Sequence, residues 1–190
     1  VIASGPTAPD ETTYAKALSV FDEHGVEPTP GVRDHLEAGT RGEHPETPDP
    51  GDPVFDRVDN RVIVDGWTAI AAARDVVESA GYAPCVLSSR LRGEAREAGL
   101  AVAAVAEEAA DTGNPVEPPA AMLSGGETTV TIRGDGTGGP NQEFALGAAE
   151  ALPPGTVLAT VDTDGLDGST DAAGAILDVE TVDAEEARAR

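Results

Sequence analysis

The chain of 190 residues holds one cysteine, one lysine and little aromatic surface: one tryptophan, two tyrosines and three phenylalanines. A lone cysteine, Cys85, cannot close an internal disulfide, and a cytoplasmic location is the expectation that follows. Cys85 lies in the apolar run APCVLSS, which reads as a small core residue rather than a reactive thiol. Long apolar runs are missing as well. The longest with helical character, LAVAAVA, falls far short of the roughly 20 residues that span a bilayer. No charged segment followed by an apolar one marks a secretory leader. There is no Walker A pattern, no Cys/His metal spacing and no Ser/His/Asp arrangement. His24, His35 and His44 sit at helix ends or in a proline-rich stretch and read as structural or surface residues.

Negative charge is what the chain has in excess. Acidic residues number 35 against 12 basic ones, Lys16 being the only lysine, for a net charge of −23. Such a surface repels nucleic acid and anionic membranes, which excludes both as partners. Hydrophobic residues at 39%, with clear periodicity, argue for a folded chain rather than a disordered one. Many carboxylates, many small residues and almost no lysine fit a salt-adapted surface, whose self-repulsion is screened at high ionic strength.

The pattern along the chain is α/β: parallel or mixed sheet layers with flanking helices, in two partial domains. Helices are expected at about 11–24, with Asp10 as cap, and from Pro30 to Gly39. The stretch 40–53, with Pro45, Pro48, Pro50 and Pro53, is an extended loop. Then come a buried-type strand RVIVDG, a helix WTAIAAARDVVESAG, a strand APCVLSS and the long helix GEAREAGLAVAAVAEEAADTG. The turn-rich TGNPVEPP is the expected boundary between domains at 1–111 and 120–190. Beyond it, AAMLSGG is a strand and ETTVTIRG its expected neighbour; a helix NQEFALGAAEAL, the strands TVLATVDTDG and AGAILDV, and a helix opening at Asp183 follow.

Four glycine- and acid-rich stretches are candidate sites, each also readable as a plain turn. SGPT (Ser4, Gly5, Pro6, Thr7) can present backbone N–H groups to an anion. SGGETT places Gly125, Gly126 and Glu127 at a strand end. GDGTGGPNQE has the spacing Gly134, Gly136, Gly139 before a helix whose first turn holds Asn141, Gln142 and Glu143. There the helix N-terminus favours negative charge. DTDGLDGSTDAAG puts Asp162, Asp164, Asp167 and Asp171 at the C-terminal end of a strand, where α/β sheets bind ligands. Hard oxygen ligands of this kind suit Mg²⁺ bridging phosphates, and a solvated acidic loop is the plainer reading.

The run SGGETTVTIRGDGTGGPNQEFALGAA followed by DTDGLDGSTDAAGAILD resembles the MOFRL domain of the glycerate 2-kinase family, whose members are also labelled hydroxypyruvate reductases. VIASGPTAPDETTYAKAL, ETPDPGDPVF and LSSRLRGEAREAG resemble the later part of the domain that precedes MOFRL in that family. The resemblance implies a two-domain α/β enzyme that moves the γ-phosphoryl group of ATP to the 2-hydroxyl of D-glycerate with Mg²⁺. It places substrate- or nucleotide-binding roles on Ser4, Gly5, Thr7, Gly125, Gly126, Gly139, Asn141, Gln142, Glu143, Thr163, Gly165, Thr170 and Asp171. Asp164, Asp167 and Glu127 take the catalytic roles, and Asp164 with Asp167 the metal. The implied partner is small-molecule glycerate, with a homodimer left open. Three departures stand out. Pro140 occupies the place of the family's usual arginine, VDGWTAI replaces its usual turn around Gly66 and Trp67, and its N-terminal half and important lysine have no counterpart here. The chain is therefore expected to be an incomplete portion, inactive alone. An NAD(P)-linked reductase and a non-catalytic anion- or nucleotide-binding module are the alternatives.

Overall fold

The computed structural model describes residues 7–181. The helix expected from Asp183 lies outside them, as do Ser4 and Gly5. The described residues form two compact units, divided between Ile63 and Val64.

The first unit holds helices α1 (Tyr14–His24) and α2 (Pro30–Thr40). Thr13, not Asp10, caps α1: its side chain accepts the Lys16 N–H, and Gly25 closes the helix at φ 61°. Asp10 instead accepts the Thr12 N–H at 2.9 Å in a turn of its own. Pro30 opens α2 at a position where its missing N–H costs nothing. Buried Gly39 leaves room for the Tyr14 ring, and His35 and His44 stack at 4.6 Å beside it. His35 and His44 thus pack within this unit, while His24 is exposed at the end of α1.

The run RVIVDG does not form a strand. Val62, Ile63 and Val64 are 77%, 89% and 68% exposed and join no ladder, so the segment has β-type composition without a neighbour to hydrogen-bond.

The second unit runs α3 (Gly66–Ser79), β1 (Ala83–Leu91), α4 (Ala95–Thr112), β2 (Ala120–Gly126), α5 (Pro140–Ala149), β3 (Leu158–Val161) and β4 (Gly174–Leu177). Asp65 and Thr68 form a reciprocal capping box that starts α3. β1 and β2 pair in parallel, joined by α4 as their crossover, while β3 and β4 pair antiparallel. The connector 112–119 lies inside this unit, and the β1–β2 ladder bridges it. Small residues set how closely α4 and α5 approach. Gly99 lies against the backbone of Phe144 and Ala148, and Gly147 against that of Arg96, so a methyl group at either place would overlap the other helix. Ala95, Ala103, Ala109, Phe144, Ala145, Ala148, Leu152 and Leu177 are buried, and Leu152, Ala145 and Leu177 pack α5 against β4.

ETTVTIRG is not a strand beside β2. It folds back onto the turn between β1 and α4: Thr129 N–H donates to Gly93 O at 2.8 Å, and Ala95 N–H donates to Thr129 O at 2.8 Å. Glu94 then accepts the Thr131 N–H at 2.6 Å and its hydroxyl at 2.9 Å. A carboxylate collecting donors competes here with strand pairing and wins.

Candidate functional site

The glycine-rich stretch before α5 and the acidic loop after β3 meet, and they meet on each other. Asp167 is fully buried. Its Oδ1 accepts the Asn141 backbone N–H at 2.9 Å and the Asn141 side-chain amide at 3.2 Å; its Oδ2 accepts the Gln142 backbone N–H at 2.8 Å. Pro140 stands at the first helical position, where it has no N–H to offer. The first free donors of α5 are therefore those of Asn141 and Gln142, and a carboxylate from elsewhere in the chain satisfies both. Gly139 is required by this closeness, since a Cβ there would overlap the Asp167 carboxyl group. Gly168, at φ 61°, lies against Gly138 and Gly139 from the other side.

The rest of the network continues inward. Gln142 Nε2 donates to Thr170 Oγ1 at 3.0 Å, and the Thr170 hydroxyl donates to Asp167 O at 2.8 Å. Thr160, on β3, donates its hydroxyl to Asn141 O at 3.0 Å and accepts the Ala175 N–H at 3.1 Å. Buried polar groups that satisfy one another in this way fix a single arrangement. Glu143 is turned to a structural use as well. Arg96, on α4, donates to Glu143 at 2.8 Å and to Glu150 at 3.0 Å, Arg96 and Glu143 being half-buried and Glu150 exposed. The Glu143 hydrogen bond, helped by the charge of both carboxylates, raises the Arg96 guanidinium above its ordinary value.

Of the expected site residues, Gly139, Asn141, Gln142, Asp167 and Thr170 are thus brought together. Thr163, Asp164, Gly165 and Asp171 stay exposed on the same loop. Asp164 accepts the Leu166 N–H at 2.9 Å. Glu127 is exposed just past β2, its N–H donating to Leu91 O at 2.9 Å, with Gly126 packed on the Leu91 backbone and Gly125 half-buried. Thr7 belongs to the first unit, where its hydroxyl donates to Asn60 at 2.8 Å.

The pair Asp164 and Asp167 does not fit a metal centre. Asp167 is closed to solvent with both oxygens engaged by three N–H donors, and among the described residues no group of three His, Cys, Asp or Glu side chains could hold an ion.

Two residues that the sequence does not single out have defined places. Glu94 docks the 127–133 segment, and Thr131's two hydrogen bonds, with Arg133's charge added, hold its carboxyl below the ordinary glutamate value. Arg96 ties α4 to α5. Its only visible signal is helical spacing inside GEAREAG, which does not name a partner 47 residues away.

A family model described as MOFRL matches residues 120–190. A second match, to a domain of unknown function, DUF4147, covers residues 1–37. Among curated proteins, the glycerate 2-kinase of Pyrococcus horikoshii is 41% identical over 93% of this chain and 40% of its own length. The D-glycerate 2-kinase of Thermotoga maritima is 38% identical over 95% of this chain and 41% of its own length. An Agrobacterium vitis relative whose name points to hydroxypyruvate reduction is 40% identical over 93% of this chain and 39% of its own. The solved glycerate kinase of Thermotoga maritima superposes at a TM-score of 0.68 with 37% identity, covering 95% of this chain and 41% of that one. The chain thus spans about two fifths of the length of the curated relatives it matches. Its mixed α/β architecture is shared with that glycerate kinase structure. Among the described residues, no helix is long and apolar enough to cross a membrane.

Proposed function

We propose that the chain is a portion of a cytoplasmic glycerate 2-kinase that moves the γ-phosphoryl group of ATP to the 2-hydroxyl of D-glycerate, giving 2-phosphoglycerate. The observation that carries this reading is the 38–41% identity to two named glycerate 2-kinases across 93–95% of the chain. A division at 1–111 and 120–190 would follow the family match that begins at residue 120, whereas the fold itself divides between residues 63 and 64 and pairs β1 with β2 across that connector.

Phosphoryl transfer asks a protein chiefly to position groups and offset charge. In this reading Asp167 positions: it pins the loop 162–171 to α5, and the loop then offers Thr163, Asp164, Gly165 and Asp171 to solvent. Asp164 and Glu127 are the exposed carboxylates assigned to orient the glycerate hydroxyl. The backbone of Gly125 and Gly126 approaches the substrate from the end of β2. Because the chain spans about two fifths of its relatives, it is expected to be inactive alone.

The reductase reading is favoured by the name of the Agrobacterium vitis relative. A dinucleotide site of that kind takes an acid on the ribose for NAD, or an arginine on the 2′-phosphate for NADP. β1 ends in Ser89, Arg90 and Leu91, without that acid, which counts against an NAD-linked site.

The deciding assay supplies ATP and D-glycerate in molar KCl and Mg²⁺ to this chain and to a longer protein containing it. Phosphoglycerate from the longer protein alone is the expected result. A longer protein that makes none sinks the kinase reading. The same preparations test the salt-adapted surface: the net charge of −23 predicts that stability rises with KCl. A urea midpoint that stays flat from low to molar KCl would remove that reading.

A further inference from the structure

The arginines among the described residues divide into two groups. Arg33, Arg41, Arg61, Arg74 and Arg96 each lie within 3.8 Å of a carboxylate. Among the described residues, Arg57, Arg90, Arg92 and Arg133 have no such partner. Four of the nine described arginines are thus left without an ion pair in a protein with 35 acidic residues. Three of these four are gathered at one place, the C-terminal end of β1 and β2.

The hydrogen bonds fix that placement. Leu91 is the register partner of Gly126, so Arg90 and Arg92 flank the last rung of the parallel ladder. Two irregularities, between Val86 and Ser88 and between Ser88 and Leu91, give β1 extra residues relative to β2; Arg90 N–H there donates to Ser88 Oγ at 2.9 Å. Bulges of this kind re-aim side chains, and they recur beside functional sites. Arg133 follows two residues after Thr131, which is fastened to Glu94 just past Arg92. All three arginines are exposed.

The acids at this rim are occupied elsewhere. Asp65 accepts the Thr68 N–H at 2.9 Å and hydroxyl at 2.7 Å; those bonds, with Arg90's charge added, hold it below the ordinary aspartate value. Glu94 is given to Thr131. Glu127, just past β2, and Asp135, two residues after Arg133, are exposed carboxylates nearby. Four acids and three bases thus share this stretch, on a chain that carries 35 against 12 overall. Carboxyl ends of parallel strands are also where α/β sheets place ligands.

We propose that Arg90, Arg92 and Arg133 form an anion-binding rim for the phosphate groups of a polyphosphate donor. The identity of the donor as a nucleotide rests on the kinase reading; the rim itself does not. It supplies positive charge that Pro140 cannot, at a different place from α5, whose N-terminus is already filled by Asp167.

The test is titration of inorganic tripolyphosphate into the whole chain, followed by calorimetry, at a KCl concentration where circular dichroism shows it folded. Charge-assisted hydrogen bonds from three guanidinium groups predict that the Arg90→Gln, Arg92→Gln, Arg133→Gln variant binds about tenfold or more weakly. Its circular dichroism should match the parent's, because all three side chains are exposed. Arg57→Gln, which removes an equally unpaired charge from the other unit, should leave affinity unchanged. No binding by the parent chain, unchanged binding by the triple variant, or an equal loss in Arg57→Gln would each overturn the rim. Binding that depends on the three arginines, in a protein whose longer form makes no phosphoglycerate, keeps the rim and discards the kinase reading.

Discussion

At the N-terminus of α5 the backbone N–H groups of Asn141 and Gln142 already hold a carboxylate, that of Asp167. At the C-terminal rim of β1 and β2, Arg90, Arg92 and Arg133 hold none from the described residues. Both places have the sequence appearance of an anion site, with glycines before a helix in one and glycines after a strand in the other. The difference lies in who supplies the negative charge. At α5 the chain supplies it and buries it, so glycine there serves close packing. At the rim the chain has turned its acids onto threonines and left the cations exposed. A glycine-rich pattern thus reports close approach of backbone to something, and only the fold says whether that something is a ligand or the chain itself.

The largest test of the contrast is Asp167→Ala. It leaves two helix N–H groups and the Asn141 amide without their buried acceptor, and it cuts the loop 162–171 from α5. Loss of a helix cap together with buried hydrogen bonds to a charged group predicts a destabilisation of about 3 kcal/mol, read as a urea midpoint shift at fixed KCl. Tripolyphosphate affinity at the arginine rim should change little. A stable Asp167→Ala variant that gains phosphate affinity would reverse the assignment, making α5 the ligand site and Asp167 its removable plug.

Arg96 connects the two places, because α4 starts at the rim and its first turn reaches the first turn of α5. Arg96→Gln should cost about 1 kcal/mol, at the upper end for surface ion pairs, since Arg96 and Glu143 are half-buried and two carboxylates lose one partner. A cost near that of Asp167→Ala would mean that Glu143 and Glu150, left unpaired against α4, matter more than the helix cap.

Pro140→Arg asks whether the missing family arginine is missed here. The first helical position makes no backbone hydrogen bond, so the change should move stability by less than about 0.5 kcal/mol. Asp167 keeps the neighbouring N–H groups, and tripolyphosphate affinity of the whole chain should remain set by the β1–β2 rim. A tenfold gain in affinity would show instead that α5 is an anion site awaiting its cation.

Much of the fold is legible in the chain. Helices α2 to α5 announce themselves by periodicity, by Pro30 at a start and by Gly113 at an end. Strands β1 to β4 stand out as short apolar runs. The misses share one cause: a segment's alternation says that it is extended, not that it has a partner. RVIVDG and ETTVTIRG both alternate; the first joins no ladder and the second is claimed by Glu94 through side-chain hydrogen bonds. Of the site, the sequence identifies the members of the α5 network, Gly139, Asn141, Gln142, Asp167 and Thr170, but not their use. Asp167 reads as a metal ligand beside three other aspartates. Its burial, decided by contacts 25 and 26 residues back, is what separates it from Asp164.

The smallest effect concerns the fastening of the rim. Glu94 has its folded pKa held below the ordinary glutamate value by the Thr131 N–H and hydroxyl. A depressed carboxylate contributes stability that is fully present above the unfolded value and is lost as pH falls through the folded one. The 127–133 segment should therefore loosen from the β1–α4 turn on acidification, below the ordinary glutamate range, while the neutral-pH fold is unaffected. Glu94→Gln keeps an acceptor for Thr131 but removes the titration. It should flatten the acid limb of the stability profile slightly, and amide exchange at Thr131 should become insensitive to pH beyond its intrinsic dependence. If Thr131 exchange in the parent chain shows no acid-linked opening, Glu94 is not what fastens Arg133 beside the strands, and the rim would have to be held by the two backbone hydrogen bonds of Thr129 alone.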